Sequence, residues 1–253
     1  MVQTLLTAGE QTELIGLEVV DLDVGGTWES RADLEVVAVV LSGRVGVSVD
    51  GRDLGEAGAR RSVFDGPGHA VYVPPDGAVR VTARAARAAL AVVSAPRSSS
   101  PPGVPRVIGP DDQRVTETGR GNWARSVRTL LGPEQPASRL LVGETVNPPG
   151  NWSSYPPHKH DVQAPPHEVR LEEVYLFKVD PPGGFGVQLR YEDDGHEEAL
   201  VVHDGDVAVI GSGYHPVAAA PGYALYYLWA MAGEGRELAP HFDARHAWVQ
   251  EER

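Results

Sequence analysis

Short runs of β-branched and aliphatic residues, each stopped within a few positions by glycine, proline or aspartate-glycine, recur from Leu34 almost to the end of the chain. Residues 35–41 end at Ser42-Gly43. Residues 44–49 alternate apolar with small or polar side chains before Asp50-Gly51, and Ala70–Val73 stops at Pro74-Pro75-Asp76-Gly77. Alternate residues of a strand share a face, so such runs predict strands and their stops predict turns. Further strands are expected at 79–82, 88–93, 107–108, 123–131, 139–147, 173–179, 186–191, 198–202, 206–210 and 224–230. No window beyond about ten residues keeps a 3.6-residue apolar period, so helices should be few and short. The expected class is all-β, built from antiparallel barrels or sandwiches.

Residues 94–103, Ser-Ala-Pro-Arg-Ser-Ser-Ser-Pro-Pro-Gly, contain little to bury and read as a connection. They divide the chain into an N-terminal barrel at 1–95, a linker at 96–106 and a C-terminal barrel at 107–253. The halves share a crude plan, as residues 69–74 and 206–211 illustrate, which points to two related barrels in tandem. Their histidines are unevenly shared: of nine, only His69 precedes residue 150.

The chain has no cysteine, which removes disulfides, thiolate metal sites and cysteine nucleophiles together. Its 35 acidic against 22 basic residues, net -13, repel a phosphate backbone, so a nucleic-acid partner is not expected. No apolar run reaches the ~18 residues of a membrane span. The first residues carry Glu10, Glu13, Glu18 and Asp21 where a secretory signal would be basic, so a cytoplasmic location is expected.

Any chemistry therefore falls to imidazoles, carboxylates, hydroxyls or a metal. His158-Lys159-His160 places two imidazoles on one face if the stretch is extended, with Lys159 turned away. The strand at 173–179 carries Glu173, Tyr175 and Phe177 on one side. His215 follows the turn Gly211-Ser212-Gly213. Two histidines two apart, a glutamate and a distant histidine form the ligand set of a cupin metal site, which suits Zn, Mn, Fe, Ni or Co. Taken alone, the His-x-His pair fits a surface turn equally well, and His215 fits a core histidine. His203 reads as a turn residue, and His167, His196, His241 and His246 as solvated loop residues.

Several longer strings resemble one family. Gly150-Asn151-Trp152-Ser153-Ser154-Tyr155-Pro156-Pro157-His158-Lys159-His160-Asp161, Leu171-Glu172-Glu173-Val174-Tyr175, Pro181-Pro182-Gly183-Gly184-Phe185-Gly186, Gly213-Tyr214-His215-Pro216-Val217 and 221–228 carry the likeness in the second half. Residues 60–66 and 71–74 extend it into the first. They resemble the 5-deoxyglucuronate isomerases, two-cupin aldose–ketose isomerases of myo-inositol catabolism related to 5-keto-4-deoxyuronate isomerase. The resemblance implies a first cupin without metal and a second holding a divalent ion through His158, His160, Glu173 and His215, with zinc expected first and manganese or iron as alternatives. It implies a uronic-acid substrate and a keto-acid product.

Tyr175 and Tyr227 are the candidate proton donors or relays, and Glu172, on the opposite face from Glu173, is a weak candidate base. A hydride shift without a protein base is the alternative. Arg125, among Arg120, Arg125 and Arg128, is the first candidate to bind the substrate carboxylate, with Arg190 second. Gln188-Leu189-Arg190-Tyr191 places its arginine one position later than the family's Gln-Arg-x-Tyr, and such a shift turns a strand side chain to the other face. Residues 210–213 replace the family's usual Val-Pro before the last histidine. The same ligand types would also serve an iron dioxygenase or a non-catalytic sugar-binding cupin. A homo-oligomer is expected because antiparallel barrels with exposed edges commonly pair.

Overall fold

The computed structural model describes residues 1–84 and 86–251. Among them the regular elements are strands and short 3₁₀ helices, with no α-helix, and no helix is long and apolar enough to cross a membrane. The chain groups into two compact units. One comprises Met1–Arg114, Thr129–Val142 and Ala230–Arg236, the other Val115–Arg128, Gly143–Trp229 and Glu237–Arg253.

In the first unit a six-stranded sheet runs Val2–Leu6, Gly16–Asp23, Arg87–Pro96, Leu34–Ser42, Ala70–Val73, Arg106–Ile108. A four-stranded sheet runs Thr27–Glu29, Val79–Ala83, Val45–Val49, Arg52–Ala57. Their alternate residues make one core, in which Val36, Ala38, Val40, Val71 and Leu90 pack with Val45, Val47, Val79 and Val81. Each fully buried valine or leucine is worth ~1.5–3 kcal/mol, so the period-2 pattern selects this face and register. Leu34–Ser42 also buries Val37 and Val39, which explains why it reads as a continuous apolar run and not as an alternation.

The Asp50-Gly51 turn joins Val45–Val49 to Arg52–Ala57 with Val49 opposite Arg52. Both turn residues have positive φ, 50° and 79°, as the two-residue hairpin turn that matches strand twist requires. The same unit holds a fully buried carboxylate. Glu35 accepts hydrogen bonds from the Tyr72 hydroxyl at 2.9 Å and from the backbone N–H groups of Ser138, Arg139 and Leu140 at 2.6, 2.7 and 2.9 Å.

The expected strands form, and several unexpected ones join them. Val2–Leu6 is mostly exposed, and Gly16–Asp23 directs Glu18, Asp21 and Asp23 outward, so neither presents a clean apolar alternation. Backbone pairing recruits them: Val2–Leu6 pairs with Gly16–Asp23, which in turn pairs along its whole length with Arg87–Pro96.

The second unit repeats the plan. Its six-stranded sheet runs Arg114–Thr118, Arg125–Leu131, Leu140–Asn147, Ala224–Ala232, Glu172–Asp180, Val207–Ile210, with the ends of several strands grouping with the first unit. Its four-stranded sheet runs Trp152–Ser153, Val217–Ala219, Gly186–Tyr191, Glu197–Val202. A separate ribbon pairs His158 with Phe242 and Lys159 with His241.

Candidate active site

Three elements bring four ligand-type side chains together in the second unit. Glu172–Asp180 turns Glu173, Tyr175 and Phe177 to one side, all essentially inaccessible to solvent. The stretch 158–160 is extended, so His158 and His160 project the same way. His215 precedes the strand Val217–Ala219 and is anchored by its neighbours: Gln188 Nε2 donates to its carbonyl at 3.0 Å, and Gly213 N–H donates to Asp161 at 2.7 Å. Gly213 lies at φ +80°, where a Cβ would stand 2.7 Å from the Tyr191 carbonyl, so the turn into His215 requires glycine.

His160, Glu173 and His215 each present one ligand atom within 4.8 Å of the others. His160 Nε2 stands 3.1 Å and His215 Nε2 3.3 Å from the same Glu173 Oε2. The His158 ring centroid lies 4.9 Å from that of His215 and 6.3 Å from that of His160.

The tautomers decide what this cluster favours. His160 Nδ1 is 2.8 Å from the Leu171 carbonyl and His215 Nδ1 is 2.9 Å from the Gly213 carbonyl. A carbonyl only accepts, so both Nδ1 atoms carry the proton, and in the neutral rings both Nε2 atoms aim lone pairs at a carboxylate oxygen. His215 Nε2 is buried without a hydrogen-bond partner. Lone pairs converging on a carboxylate repel unless a positive charge lies among them, either a proton or a metal ion.

Burial is the largest single influence on His160 and works against its protonated form, but the hydrogen bond and charge of Glu173 together with the Leu171 carbonyl raise its pKa. Burial would likewise raise Glu173, yet the His160 hydrogen bond and the proximity of both His160 and His215 hold it down to about 2. His158 is pushed down to about 3, first by burial and then by His215 and His160. At neutral pH the cluster therefore offers a carboxylate and a neutral His158, a donor set of N and O atoms that fits a divalent cation.

A band of hydroxyls adjoins it. Tyr175 OH donates to Glu173 Oε2 at 3.1 Å and lies 3.4 Å from Ser154 Oγ. The Tyr227 ring centroid is 4.6 Å from that of Tyr175, and its hydroxyl donates to Ser153 Oγ, which also accepts from Asn147 Nδ2. Burial raises both phenols, Tyr175 further through the Glu173 charge, so they stay protonated and act as donors.

Residues 1–249 match the family model described as the KduI/IolB family. The chain belongs to the KduI/IolB family. It is 43% identical to the 5-deoxy-glucuronate isomerase of Geobacillus kaustophilus, over 94% of this chain and 87% of that one, and 34% identical to the Bacillus subtilis protein of the same name, over 99% and 93%. An IolB-like protein of Salmonella typhimurium LT2 superposes with a TM-score of 0.93 at 34% identity, covering 98% of this chain and 95% of that one. A variant of Bacillus subtilis oxalate decarboxylase shares the fold alone, with a TM-score of 0.67 at 13% identity over 95% of this chain and 74% of that one. The architecture is that of a two-cupin protein.

The remaining candidate side chains are held as follows. Arg125 is half-buried, donates to the Trp123 carbonyl at 3.1 Å and lies 5.7 Å over the Trp123 ring. Burial lowers its pKa and nearby Tyr227 partly offsets this; no carboxylate among the described residues pairs with it. Arg190 shares its strand face with Gln188, whose side chain contacts the His215 backbone, and so stands on the face opposite Leu189, the place of the arginine in Gln-Arg-x-Tyr. Its Nη2 pairs with Glu198 at 3.4 Å. Lys159 turns from its histidine neighbours to Asp161 and Glu168, at 2.6 and 3.2 Å.

The C-terminal segment carries residues that pattern reading missed. Phe242 lies 5.6 Å from the His158 ring, and Asp243 N–H donates to the Pro157 carbonyl at 2.9 Å. Buried Asp243 accepts from Tyr191 OH at 2.7 Å and from Arg245 Nη2 at 2.8 Å. Burial acts against its charge, but the Arg245 and Tyr191 hydrogen bonds hold its pKa to about 2. His246, read from sequence as a solvated loop residue, stands 6.1 Å from the Tyr155 ring and 3.8 Å from Asp243. No strand pattern marks 241–246; only the Phe242-x₂-Arg245 spacing around an aspartate offered a signal. Asp243→Asn is expected to expose the segment 237–251 to protease and to weaken metal binding ~10–100-fold, as loss of ligand-orienting partners does. Unchanged proteolysis and affinity would show that the segment does not hold His158.

Proposed function

We propose that this chain is a metal-dependent 5-deoxy-glucuronate isomerase of inositol catabolism, converting the open-chain aldose acid to the 2-keto isomer. The observation that carries this reading is the convergence of His160 and His215 Nε2 lone pairs on Glu173 in a chain so similar to proteins of that name. His158, His160, Glu173 and His215 would hold the ion, with zinc favoured and manganese or iron next. When bound there, a divalent ion supplies Lewis-acid polarisation of the substrate's C1 carbonyl and C2 hydroxyl.

The chain's own residues do the rest. The Tyr175 phenol, kept protonated beside Glu173, turns its single O–H from Glu173 to a substrate oxygen and so stabilises negative charge while a base in exchange with solvent takes the C2 proton and delivers one to C1. Tyr227, fixed by Ser153, supports the Tyr175 ring. The Arg125 guanidinium binds the substrate carboxylate, a local attraction that a net charge of -13 does not supply from afar. Arg190, already paired with Glu198, is the lesser candidate for that contact. We place this activity in the cytoplasm, in a homo-oligomer joined through edge strands such as Glu197–Val202, where Leu200 and Val201 are exposed.

The deciding experiment pairs metal analysis of the purified protein with an isomerase assay on 5-deoxy-glucuronate in deuterated water. Bound divalent metal, turnover lost with a chelator, and deuterium at C1 of the product are expected. Metal-free protein at full activity would overturn the metal role, and product without deuterium would replace proton transfer by a hydride shift. Arg125→Ala is expected to raise KM for the acid ~10–100-fold, the worth of a lost charge-assisted hydrogen bond of roughly 1.5–3 kcal/mol. A substrate lacking the carboxylate should show no such penalty; equal losses on both would remove Arg125 from the carboxylate site.

A further inference from the structure

The first unit holds five arginines around one opening. Arg44, Arg60, Arg61, Arg84 and Arg87 line a cavity of about 640 Å³, within the volume of ordinary small-ligand sites. They come from three turns that are locked together by main-chain contacts. Gly43 N–H donates to the Arg60 carbonyl at 2.9 Å, and Arg84 N–H to the Arg44 carbonyl at 2.8 Å. Gly43 lies at φ +83°, and a Cβ there would stand 2.3 Å from the Arg87 carbonyl, so the turns meet only because glycine occupies that position.

Arg60 is the fixed member. It is 6% exposed, and its Nε and Nη1 donate to the Val40 and Gly66 carbonyls at 3.1 and 3.2 Å. Around it Arg44 pairs with Glu56 at 3.5 Å, Arg61 with Asp65 at 3.3 Å and Arg87 with Asp21 at 3.0 Å. Arg84 pairs with no carboxylate among the described residues, and its guanidinium lies flat against Gly46, where a Cβ would stand 2.5 Å from Nε. The field of the cluster reaches His69, which is held below its ordinary pKa by burial first and then by Arg60 and Arg44.

Glu56, Asp65 and Asp21 offset three of these charges, but the five arginines still outnumber the carboxylates paired with them, and in a chain of net -13 nothing global requires that local excess. A bound anion would offset it. Guanidinium forks match phosphate oxygens in bidentate geometry, and a ring of several suits more than one negative charge. We infer that this cavity binds a small, multiply charged phosphate-bearing molecule, at a site separate from the histidine cluster. All its residues belong to the first unit.

The test is calorimetric titration of the intact protein with pyrophosphate, inorganic phosphate and citrate at constant ionic strength, beside the double variant Arg44→Ser, Arg84→Ser. Saturable pyrophosphate binding that the double variant weakens at least ~10-fold, with isomerase activity unchanged when no anion is added, is expected. Absence of saturable binding, or equal binding by the variant, would overturn the site. Citrate binding as tightly as pyrophosphate would overturn the phosphate assignment. A changed sedimenting mass in the double variant would make the cluster a contact between copies and likewise sink the proposal.

Discussion

His160→Ala is expected to lower kcat/KM for 5-deoxy-glucuronate by roughly 10²–10³-fold, equivalent to ~3–4 kcal/mol of transition-state stabilisation, and to leave the purified protein with substoichiometric metal. The reasoning is geometric. With Nδ1 committed to the Leu171 carbonyl, Nε2 is the only His160 nitrogen free to face Glu173, and alanine removes it. Backbone pairing should survive, because the Leu171 N–H bond to the His160 carbonyl at 2.9 Å involves no side chain. Native-like circular dichroism with activity and metal both lost would support the assignment. A variant that keeps its metal and its rate would exclude His160 as a ligand.

The largest expected effect on stability lies in the first unit. Glu35→Gln is expected to cost ~3–5 kcal/mol in urea unfolding. The carboxylate accepts from three successive backbone N–H groups and a phenol with no solvent to replace it. A glutamine at that position turns an NH₂ donor toward some of these donors and leaves them unsatisfied. Tyr72→Phe removes one donor and keeps the charge, so its cost should be near 1 kcal/mol. A Glu35→Gln penalty no larger than that of Tyr72→Phe would show that the backbone donors find other acceptors.

The same two residues mark what could and could not be read in advance. His160 was legible because a two-residue spacing in an extended stretch, a glutamate opening an apolar strand and a histidine after a glycine turn form a pattern with chemical meaning. Glu35 was not. It sits at the start of a valine run and looks like an ordinary strand-end acid, and its three backbone donors lie more than a hundred residues away in sequence. Arg190 follows the alternation of its strand: in Gly186–Tyr191 it shares a face with Gln188 and stands opposite Leu189, so its displacement by one place puts it on the other face from the arginine of Gln-Arg-x-Tyr. Asp243 and Phe242 were hidden for a simpler reason: a two-residue strand carries too few positions to show any period.

By itself, the order of residues determined the strand class, the turns at Asp50-Gly51 and Gly213, and the chemical types available for a metal, because local dihedral preferences and side-chain alternation need no distant partner. Tertiary structure alone decided which nitrogen of His160 and of His215 faces Glu173, that Arg84 and Arg125 lack a carboxylate partner among the described residues, and which C-terminal residues brace His158. Those outcomes depend on hydrogen bonds and burial between segments far apart in the chain, and no pattern along a single strand encodes them.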